Sequence, residues 1–184
     1  ILPIGLDETA IKSVNTPYRY VEGRDVAVLL KKRNKFDHKG NYGHGLLIAG
    51  SSGKIGAAIL GARAALRTGI GLLTCNVPDG AQSAMHSSVP EAMLLPDRSH
   101  EFISDIRNPE IFSAVAAGPG LGTAKDTQSA LYRLYLEYHK PMVIDADALN
   151  ILSMNPDWFS FFHQEIIITP HPREFERLAG KCKT

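Results

Sequence analysis

Residues 43–71, GHGLLIAGSSGKIGAAILGARAALRTGIG, are the stretch of sequence that decides the fold. The apolar run at residues 46–49 is too short for a helix and predicts a buried strand. Glycines, which tolerate positive φ angles, follow it at Gly50, Gly53 and Gly56. The Ala/Leu-rich segment after them predicts a helix over residues 54–68. The stretch therefore predicts a strand, a tight turn and a helix.

The start of this helix is a candidate anion site, because its first N–H groups are free and the helix dipole is positive there. The alternative is that the glycines only permit close packing of strand against helix. The spacing of Gly50, Gly53 and Gly56 also departs from the G-x-G-x-x-G dinucleotide fingerprint. Asp79, after the second predicted strand, could supply that fingerprint's acidic residue by position. Because the glycine spacing does not match, a Rossmann-type dehydrogenase is the weaker interpretation.

Composition limits the classes of protein to consider. The 184 residues are 44% hydrophobic and 21% charged, which is typical of one globular domain. A formal net charge of +1 gives no electrostatic reason to expect nucleic acid or an anionic membrane as a partner. No apolar stretch reaches the roughly 18 residues that a membrane span needs. Two cysteines, Cys75 and Cys182, form neither a disulfide framework nor a zinc site, which predicts a reducing, cytoplasmic setting.

The rest of the chain alternates strand and helix patterns. Strands are predicted at residues 46–49, 72–77, 92–95, 113–117, 142–144 and 166–168. Helices are predicted at residues 54–68, 79–86, 99–107 and 127–138. This alternation predicts an α/β fold with a three-layer α/β/α arrangement and a mostly parallel sheet.

Residues 1–36 form a lead-in before this pattern. Residues 1–6 could be the tail of a strand that belongs to something upstream. The basic cluster at residues 31–35 is interpreted as a solvated surface, with a phosphate-attracting rim as the alternative.

Four features each follow a predicted strand: the turn at Gly50, the glycine-rich residues 118–122, the acidic residues 145–150, and residues 169–174. The carboxyl ends of parallel strands lie along one edge of a sheet, where ligands bind. The sequence therefore predicts that all four converge on one binding site.

The polar residues of these features have structural alternatives. Residues 118–122 could be only a turn, or could expose N–H groups to a ligand. Asp145 and Asp147 could cap the following helix, or could bind a metal ion or a ribose. Asn150 could be a satisfied polar group on that helix.

His171 lies between two prolines. It could be an N-cap residue, with Pro172 at the first helical position and Glu174 in the first turn. Alternatively, the restricted backbone could aim the imidazole at a ligand.

Taken together, these motifs resemble one known family. From about residue 20 to the end, the chain is similar to the ADP/ATP-dependent NAD(P)H-hydrate dehydratases, a branch of the ribokinase-like fold. The segments that carry the resemblance are His38-Lys39-Gly40, residues 50–71, Pro90-Glu91-Ala92-Met93 and residues 118–122, 143–150 and 169–175. Residues 1–8 resemble the junction with the NAD(P)H-hydrate epimerase domain of bifunctional members. The expected organisation is a lead-in or linker at residues 1–20, then the N-terminal two-thirds of a dehydratase domain at residues 21–184.

The resemblance implies a metabolite-repair lyase. Its substrate would be the (S)-hydrate of NADH or NADPH, with ADP or ATP as co-substrate, Mg²⁺ assisting, and a homo-oligomer, specifically a tetramer, as the assembly. Phosphoryl transfer to the hydrate hydroxyl would precede elimination of phosphate. The family positions that touch the hydrated cofactor correspond to Ala57, Gly120 and His171. Those that line the cleft, or order its metal and water, correspond to Asp145, Asn150 and Glu174; no residue is assigned as a certain metal ligand.

The sequence departs from the family at its end. Family members continue with a lysine–glycine segment and a G-[ST]-G-D motif, whose aspartate is the catalytic candidate, whereas this sequence ends at Thr184. The chain is therefore expected to be a fragment that is inactive alone. A ribokinase-like kinase for a vitamin alcohol and a non-catalytic nucleotide-binding module are the alternatives. The preferences between NADH- and NADPH-hydrate, and between ADP and ATP, stay open.

Overall fold

The structure is a computed structural model that describes residues 5, 7–18, 20–30, 32–162 and 165–181. It contains two compact units, Ile1–Asp37 and His38–Thr184. The first unit holds two short helices, α1 (Glu8–Ser13) and α2 (Gly23–Ala27), neither of which has a buried residue among those described. The strand predicted at residues 1–6 lies outside the described residues apart from Gly5.

The second unit is built on one six-stranded parallel sheet. Its strands in sequence order are β1 (His44–Ile48), β2 (Leu72–Val77), β3 (Met93–Pro96), β4 (Ala114–Ala117), β5 (Met142–Ile144) and β6 (Ile166–Ile168). Their spatial order is β3-β2-β1-β4-β5-β6, and every neighbouring pair is parallel. The strands predicted at residues 72–77, 142–144 and 166–168 are confirmed to the residue.

Helices connect these strands. They are α3 (Ile55–Arg67), α4 (Gln82–Ser88), α5 (Lys125–Glu137), α6 (Ala146–Met154) and α7 (Pro172–Ala179). Single 3₁₀ segments lie at Lys39–Tyr42, Asp79–Ala81, Pro109–Ile111 and Pro156–Phe161. The helix predicted at residues 54–68 is confirmed with one residue fewer at each end. The helix predicted at residues 79–86 begins as a 3₁₀ segment and becomes α-helical only from Gln82.

The helix predicted at residues 99–107 is wrong. These residues form an irregular loop, because the side chain of Asp97 accepts hydrogen bonds from the backbone amides of Ser99, Ser104 and Asp105. A short acidic side chain that takes up nearby amides competes with helix formation.

The core has two parts, one on each face of the sheet. Side chains alternate along β1, so that Leu46 and Ile48 enter one cluster and Leu47 enters the other. The first cluster packs under α5 and α6, and the second packs under α3 and α4. Helices thus cover both faces of the sheet, which confirms the predicted three-layer α/β/α arrangement.

Candidate functional site

Two glycine-rich turns meet where the strand order reverses direction. β1 and β4 are neighbours, but the chain runs from β1 toward one edge of the sheet and from β4 toward the other. Ligands of open parallel sheets bind at such a switch point. Gly50 N donates a hydrogen bond to Pro119 O at 2.8 Å, and Ser51 Oγ donates to Gly120 O at 2.7 Å. The structure thus joins the turn at residues 50–54 to the turn at residues 118–122.

The first turn presents backbone donors at the start of α3. Within the described part of the chain, the amides of Gly53, Ile55 and Gly56 have no hydrogen-bond acceptor. A Cβ added to Gly53 or Gly56 would meet no heavy atom within 4 Å, so the space beside these two glycines is open. Free N–H groups at the positive end of a 13-residue helix can bind an anion there.

Ala57 and Gly120 lie against each other across the joined turns. A Cβ added to Gly120 would lie 2.8 Å from Lys54 O and 3.0 Å from Ala57 Cβ. Gly120 also has a φ of +68°, a conformation that side chains rarely adopt. Close packing therefore accounts for both small residues. The Gly120 amide has no acceptor among the described residues, so it remains available to a ligand.

Asp145 follows β5 and contacts the second turn. A Cβ added to Gly118 would lie 1.7 Å from Asp145 O, so only glycine fits there. The Asp145 carboxylate makes no cap hydrogen bond to α6, and no other hydrogen bond or ion pair involves it among the described residues. The next residue, Ala146, has a φ of +47°, which costs about 1–2 kcal/mol for a residue with a Cβ. The capping alternative is wrong for this side chain, which stays available beside a strained backbone.

Asp147 connects three elements of the site. Its Oδ2 accepts from Gly122 N at 2.8 Å and from Lys54 Nζ at 3.1 Å, and its Oδ1 accepts from Asn150 Nδ2 at 3.1 Å. Burial alone would raise the pKa of Asp147, but these hydrogen bonds and the Lys54 charge outweigh burial and lower it. The carboxylate therefore stays ionised. Its donors include no amide from the first turn of α6, so the capping alternative is wrong here too.

Asn150 extends this network to α7. While its Nδ2 donates to Asp147, its Oδ1 accepts a hydrogen bond from Arg177 Nη1. Both ends of the amide are engaged, so Asn150 is a satisfied polar group on its helix. The sequence interpretation named Asp147 as a possible ligand or cap but missed its role in connecting the elements of the site, and it missed Lys54 and Arg177 altogether. The available signal was Lys54, a cation placed at the candidate anion-binding turn.

His171 caps α7. Its Nδ1 accepts from Arg173 N at 3.2 Å and from Glu174 N at 3.3 Å, and Pro172 occupies the first helical position. The Glu174 carboxylate accepts from His171 N at 2.9 Å and contacts Nε2 at 3.2 Å, which completes a capping box. This network assigns the imidazole proton to Nε2. The cap interpretation is therefore observed. A role in binding remains a prediction, and the His171 side chain is 56% exposed.

Other sequence expectations have simple outcomes. Cys75 is buried, and burial raises the pKa of its thiol to about 12, whereas Cys182 lies outside the described residues. Within the described ranges, no three His, Cys, Asp or Glu side chains group closely enough to hold a metal ion. None of the helices in those ranges combines the length and the apolar character needed to cross a membrane.

Comparison with known proteins places these features in a family context. A family model described as NAD(P)H-hydrate dehydratase matches residues 45–184. The chain is 37% identical, over 180 residues, to a bifunctional NAD(P)H-hydrate repair enzyme of Coxiella burnetii, covering 96% of this chain and 35% of that protein. It is 34% identical, over 157 residues, to an ADP-dependent (S)-NAD(P)H-hydrate dehydratase of Staphylococcus aureus, covering 84% of this chain and 55% of that protein.

The solved structures similar to this chain include a dehydratase of the same family and a protein that shares its fold. The ADP/ATP-dependent NAD(P)H-hydrate dehydratase of Bacillus subtilis superposes with a TM-score of 0.69 at 29% identity, covering 85% of this chain and 54% of that one. A ribokinase-like superfamily protein of Enterococcus faecalis gives a TM-score of 0.65 at 24% identity, which shows the fold alone. The chain thus spans 35% to 55% of the length of the relatives compared. The predicted family resemblance and the ribokinase-like fold are confirmed.

Proposed function

The chain belongs to the NAD(P)H-hydrate dehydratase family, and we propose that the protein containing it converts the (S)-hydrates of NADH and NADPH back to the reduced cofactors. ADP or ATP would be the co-substrate, as the names of the relatives indicate for those proteins. The observation that carries the proposal is the pair of joined glycine-rich turns at the switch point, with free amides and open space beside Gly53 and Gly56. Such a site suits a cofactor that carries phosphate groups.

The proposed reaction replaces a poor leaving group with a good one. The hydrate hydroxyl attacks the terminal phosphorus of the nucleotide, which leaves one phosphate shorter. The new phosphate ester then departs as inorganic phosphate with the C–O electron pair, while the neighbouring ring carbon loses a proton. The ring double bond re-forms, and the net change is loss of water from the hydrate with hydrolysis of the nucleotide. Positioning and stabilisation of phosphoryl charge supply the catalysis in such a transfer.

The side chains divide into two proposed roles. Ala57, Gly120 and His171 would contact the hydrated cofactor. Asn150 and Glu174 already have protein partners, so we assign them to holding Asp147 and His171 in place.

Mg²⁺ bound with the nucleotide would neutralise charge on the transferring phosphoryl group. Asp145 fits this group, because its carboxylate is unpaired among the described residues. Mg²⁺ commonly takes one or two protein carboxylates, with phosphate oxygens and waters completing its shell.

A substitution at Ala57 tests the site. In the full-length gene product, Ala57→Leu would crowd the close contact between Ala57 and Gly120 and raise the KM for the hydrate by at least about tenfold. Ala64→Leu is the matched control, since it makes the same change at an exposed position farther along α3. Recovery of reduced nicotinamide absorbance in the presence of ATP or ADP is the assay. Equal KM values for the two variants would contradict the assignment of the site.

Product analysis decides between the proposed reaction and its main alternative. The ribokinase-like fold also suits a small-molecule kinase, which the E. faecalis likeness supports at the level of architecture. A stable phosphorylated product would favour the kinase. Recovered NADH or NADPH with free phosphate would favour the dehydratase. The ratio of kcat/KM values for the two hydrates, and for ATP and ADP, gives the substrate preferences.

Two further parts of the proposal come from the family resemblance. They are assembly as a homo-tetramer and a cytoplasmic location. Light scattering on the full-length gene product measures the first, and cell fractionation measures the second.

A further inference from the structure

A buried carboxylate outside the predicted site organises the loop beside it. Asp97 follows β3 at the carboxyl edge of the sheet and is only 5% exposed. Its Oδ1 accepts from Ser99 N at 2.8 Å and from Ser104 Oγ at 2.6 Å, and its Oδ2 accepts from Ser104 N at 2.8 Å and Asp105 N at 2.9 Å. One carboxylate thus closes residues 98–104 into a loop, holding it at both ends.

This loop contacts both sides of the candidate site. Glu101 O accepts a hydrogen bond from Ser52 N at 2.6 Å, and Ser52 lies in the first glycine-rich turn. Ile103 O accepts from the buried Thr127 Oγ1 at 2.7 Å, and Thr127 lies in the first turn of α5, directly after the second glycine-rich turn. The loop therefore bridges the segments that present the free amides.

The Ser52 contact sets the orientation of those amides. Ser52 N points at Glu101 O, so the peptide group before Ser52 is fixed by the loop. The next residue is Gly53, whose φ of +78° lies in a region that only glycine enters easily, and whose amide is among the free donors. Hydrogen bonds to residues 119 and 120 hold Gly50 and Ser51, and the bond from Ser52 N to Glu101 O is the one that anchors the turn next to Gly53.

We propose that Asp97 is a positioning residue for the cofactor site: it holds residues 98–104 against the turn at residues 50–54, so that the free amides at the start of α3 keep the geometry that binds the phosphate-bearing cofactor. The inference rests on the proposed function for the identity of the ligand. Asp97 does not touch the ligand itself and acts through Glu101 and Ser52. It therefore affects binding rather than the chemical step.

The test compares Asp97→Asn with Asp105→Asn in the full-length gene product. Asp105→Asn makes the same change in charge in the same segment, but among the described residues its carboxylate contacts only Arg133, at 3.5 Å, near the surface. Asparagine at 97 has one acceptor oxygen in place of two, so at least one loop donor loses its partner. We expect Asp97→Asn to raise the KM for the hydrate by about tenfold with kcat unchanged, and Asp105→Asn to leave both unchanged.

Amide hydrogen exchange gives a readout that does not depend on catalysis. Exchange at Ser52, whose amide is hydrogen-bonded to Glu101 O, should rise by about tenfold in Asp97→Asn and stay at the wild-type rate in Asp105→Asn. Tyr138→Phe controls for general loss of stability, because it removes a hydrogen bond to Phe112 O that is remote from these turns. If Asp97→Asn does not fold, Ser104→Ala, which removes one donor to the carboxylate, should give smaller changes in the same direction.

The outcomes separate the inference from the proposed function. An inactive wild-type protein would refute the proposed function, and the exchange comparison would then decide the inference by itself. Exchange at Ser52 that is the same in Asp97→Asn and Asp105→Asn would overturn the inference. With an active wild-type protein, faster exchange without a higher KM would also overturn it, because the loop would then hold the turn without affecting binding.

Discussion

Replacing Asp147 with asparagine tests whether one carboxylate holds the candidate site together. The carboxylate accepts hydrogen bonds from Gly122 N, Lys54 Nζ and Asn150 Nδ2. Asparagine has a single acceptor oxygen, so in either orientation its NH₂ group faces one of these donors. Asn150 cannot relieve this by rotating its amide, since its own Oδ1 already accepts from Arg177.

The hydrogen bonds set the magnitude. A hydrogen bond to a charged acceptor contributes about 1.5–3 kcal/mol to the free energy of unfolding. The ion pair with Lys54 contributes about 0–1 kcal/mol, because the lysine side chain is 53% exposed. These contributions share one side chain and do not simply add. We therefore expect Asp147→Asn to lower the free energy of unfolding by about 2–3 kcal/mol at neutral pH.

Urea unfolding of the full-length gene product is the assay, with Lys54→Met as the control. The control removes the ion pair but leaves the Gly122 and Asn150 hydrogen bonds intact, so its expected loss is about 0–1 kcal/mol. Folding lowers the pKa of Asp147, so its contribution is complete above the unfolded pKa of about 3.9 and is lost as the pH falls through the folded value. The difference between wild type and Asp147→Asn should therefore shrink in acid.

Two results would refute this reasoning. Losses below about 1 kcal/mol for both variants would mean that the part-buried hydrogen bonds from Gly122 and Asn150 contribute no more than the exposed ion pair. A difference between wild type and Asp147→Asn that persists unchanged at low pH would mean that the ionised form of Asp147 is not what stabilises the fold.

Further predictions concern four single positions, of which two are glycines compared with each other. Gly118→Ala places a Cβ 1.7 Å from Asp145 O and should cost more than about 3 kcal/mol in urea unfolding. Gly56→Ala, where a Cβ meets nothing within 4 Å, should gain up to about 1 kcal/mol; equal effects would contradict the geometry. Cys75, whose thiol pKa burial raises to about 12, should resist iodoacetamide until the protein unfolds; mass spectrometry showing rapid labelling of folded protein would contradict this. Burial would raise the pKa of Asp97, but its four hydrogen bonds outweigh burial and lower it. The wild-type free energy of unfolding should therefore fall more steeply with decreasing pH in the acid range than that of Asp97→Asn. Equal pH dependence of the two proteins would contradict this.

The elements that the sequence predicted well are those with local causes. The strand at residues 72–77 is an uninterrupted run, and α3 follows a glycine-rich turn, so neighbouring residues suffice to define them. The helix predicted at residues 99–107 was wrong because the loop found there depends on a single side chain. Asp97 accepts hydrogen bonds from backbone amides up to eight residues away. No periodicity in the sequence distinguishes that arrangement from a helix.

The site shows the same limit. The convergence of strand ends followed from sheet topology, which the alternation of strands and helices predicts. The different environments of Asp145 and Asp147 did not follow, because the two aspartates lie in the same short acidic segment. Ala146, between them, takes a φ of +47°, and this turn separates a carboxylate without a partner among the described residues from one with three. A left-handed alanine has no signature in the sequence.

The cap at His171 and a role in binding are compatible for a physical reason. Capping fixes the tautomer and the orientation of the imidazole before any ligand arrives, and Glu174 is held against it with only 8% of its side chain exposed. α7 is in turn tied to α6 through Arg177 and Asn150, and α6 is tied to both glycine-rich turns through Asp147. A site whose donors are ordered in advance loses less conformational entropy when a ligand binds. The residues with structural roles here are therefore the ones that would make binding by Ala57, Gly120 and His171 effective.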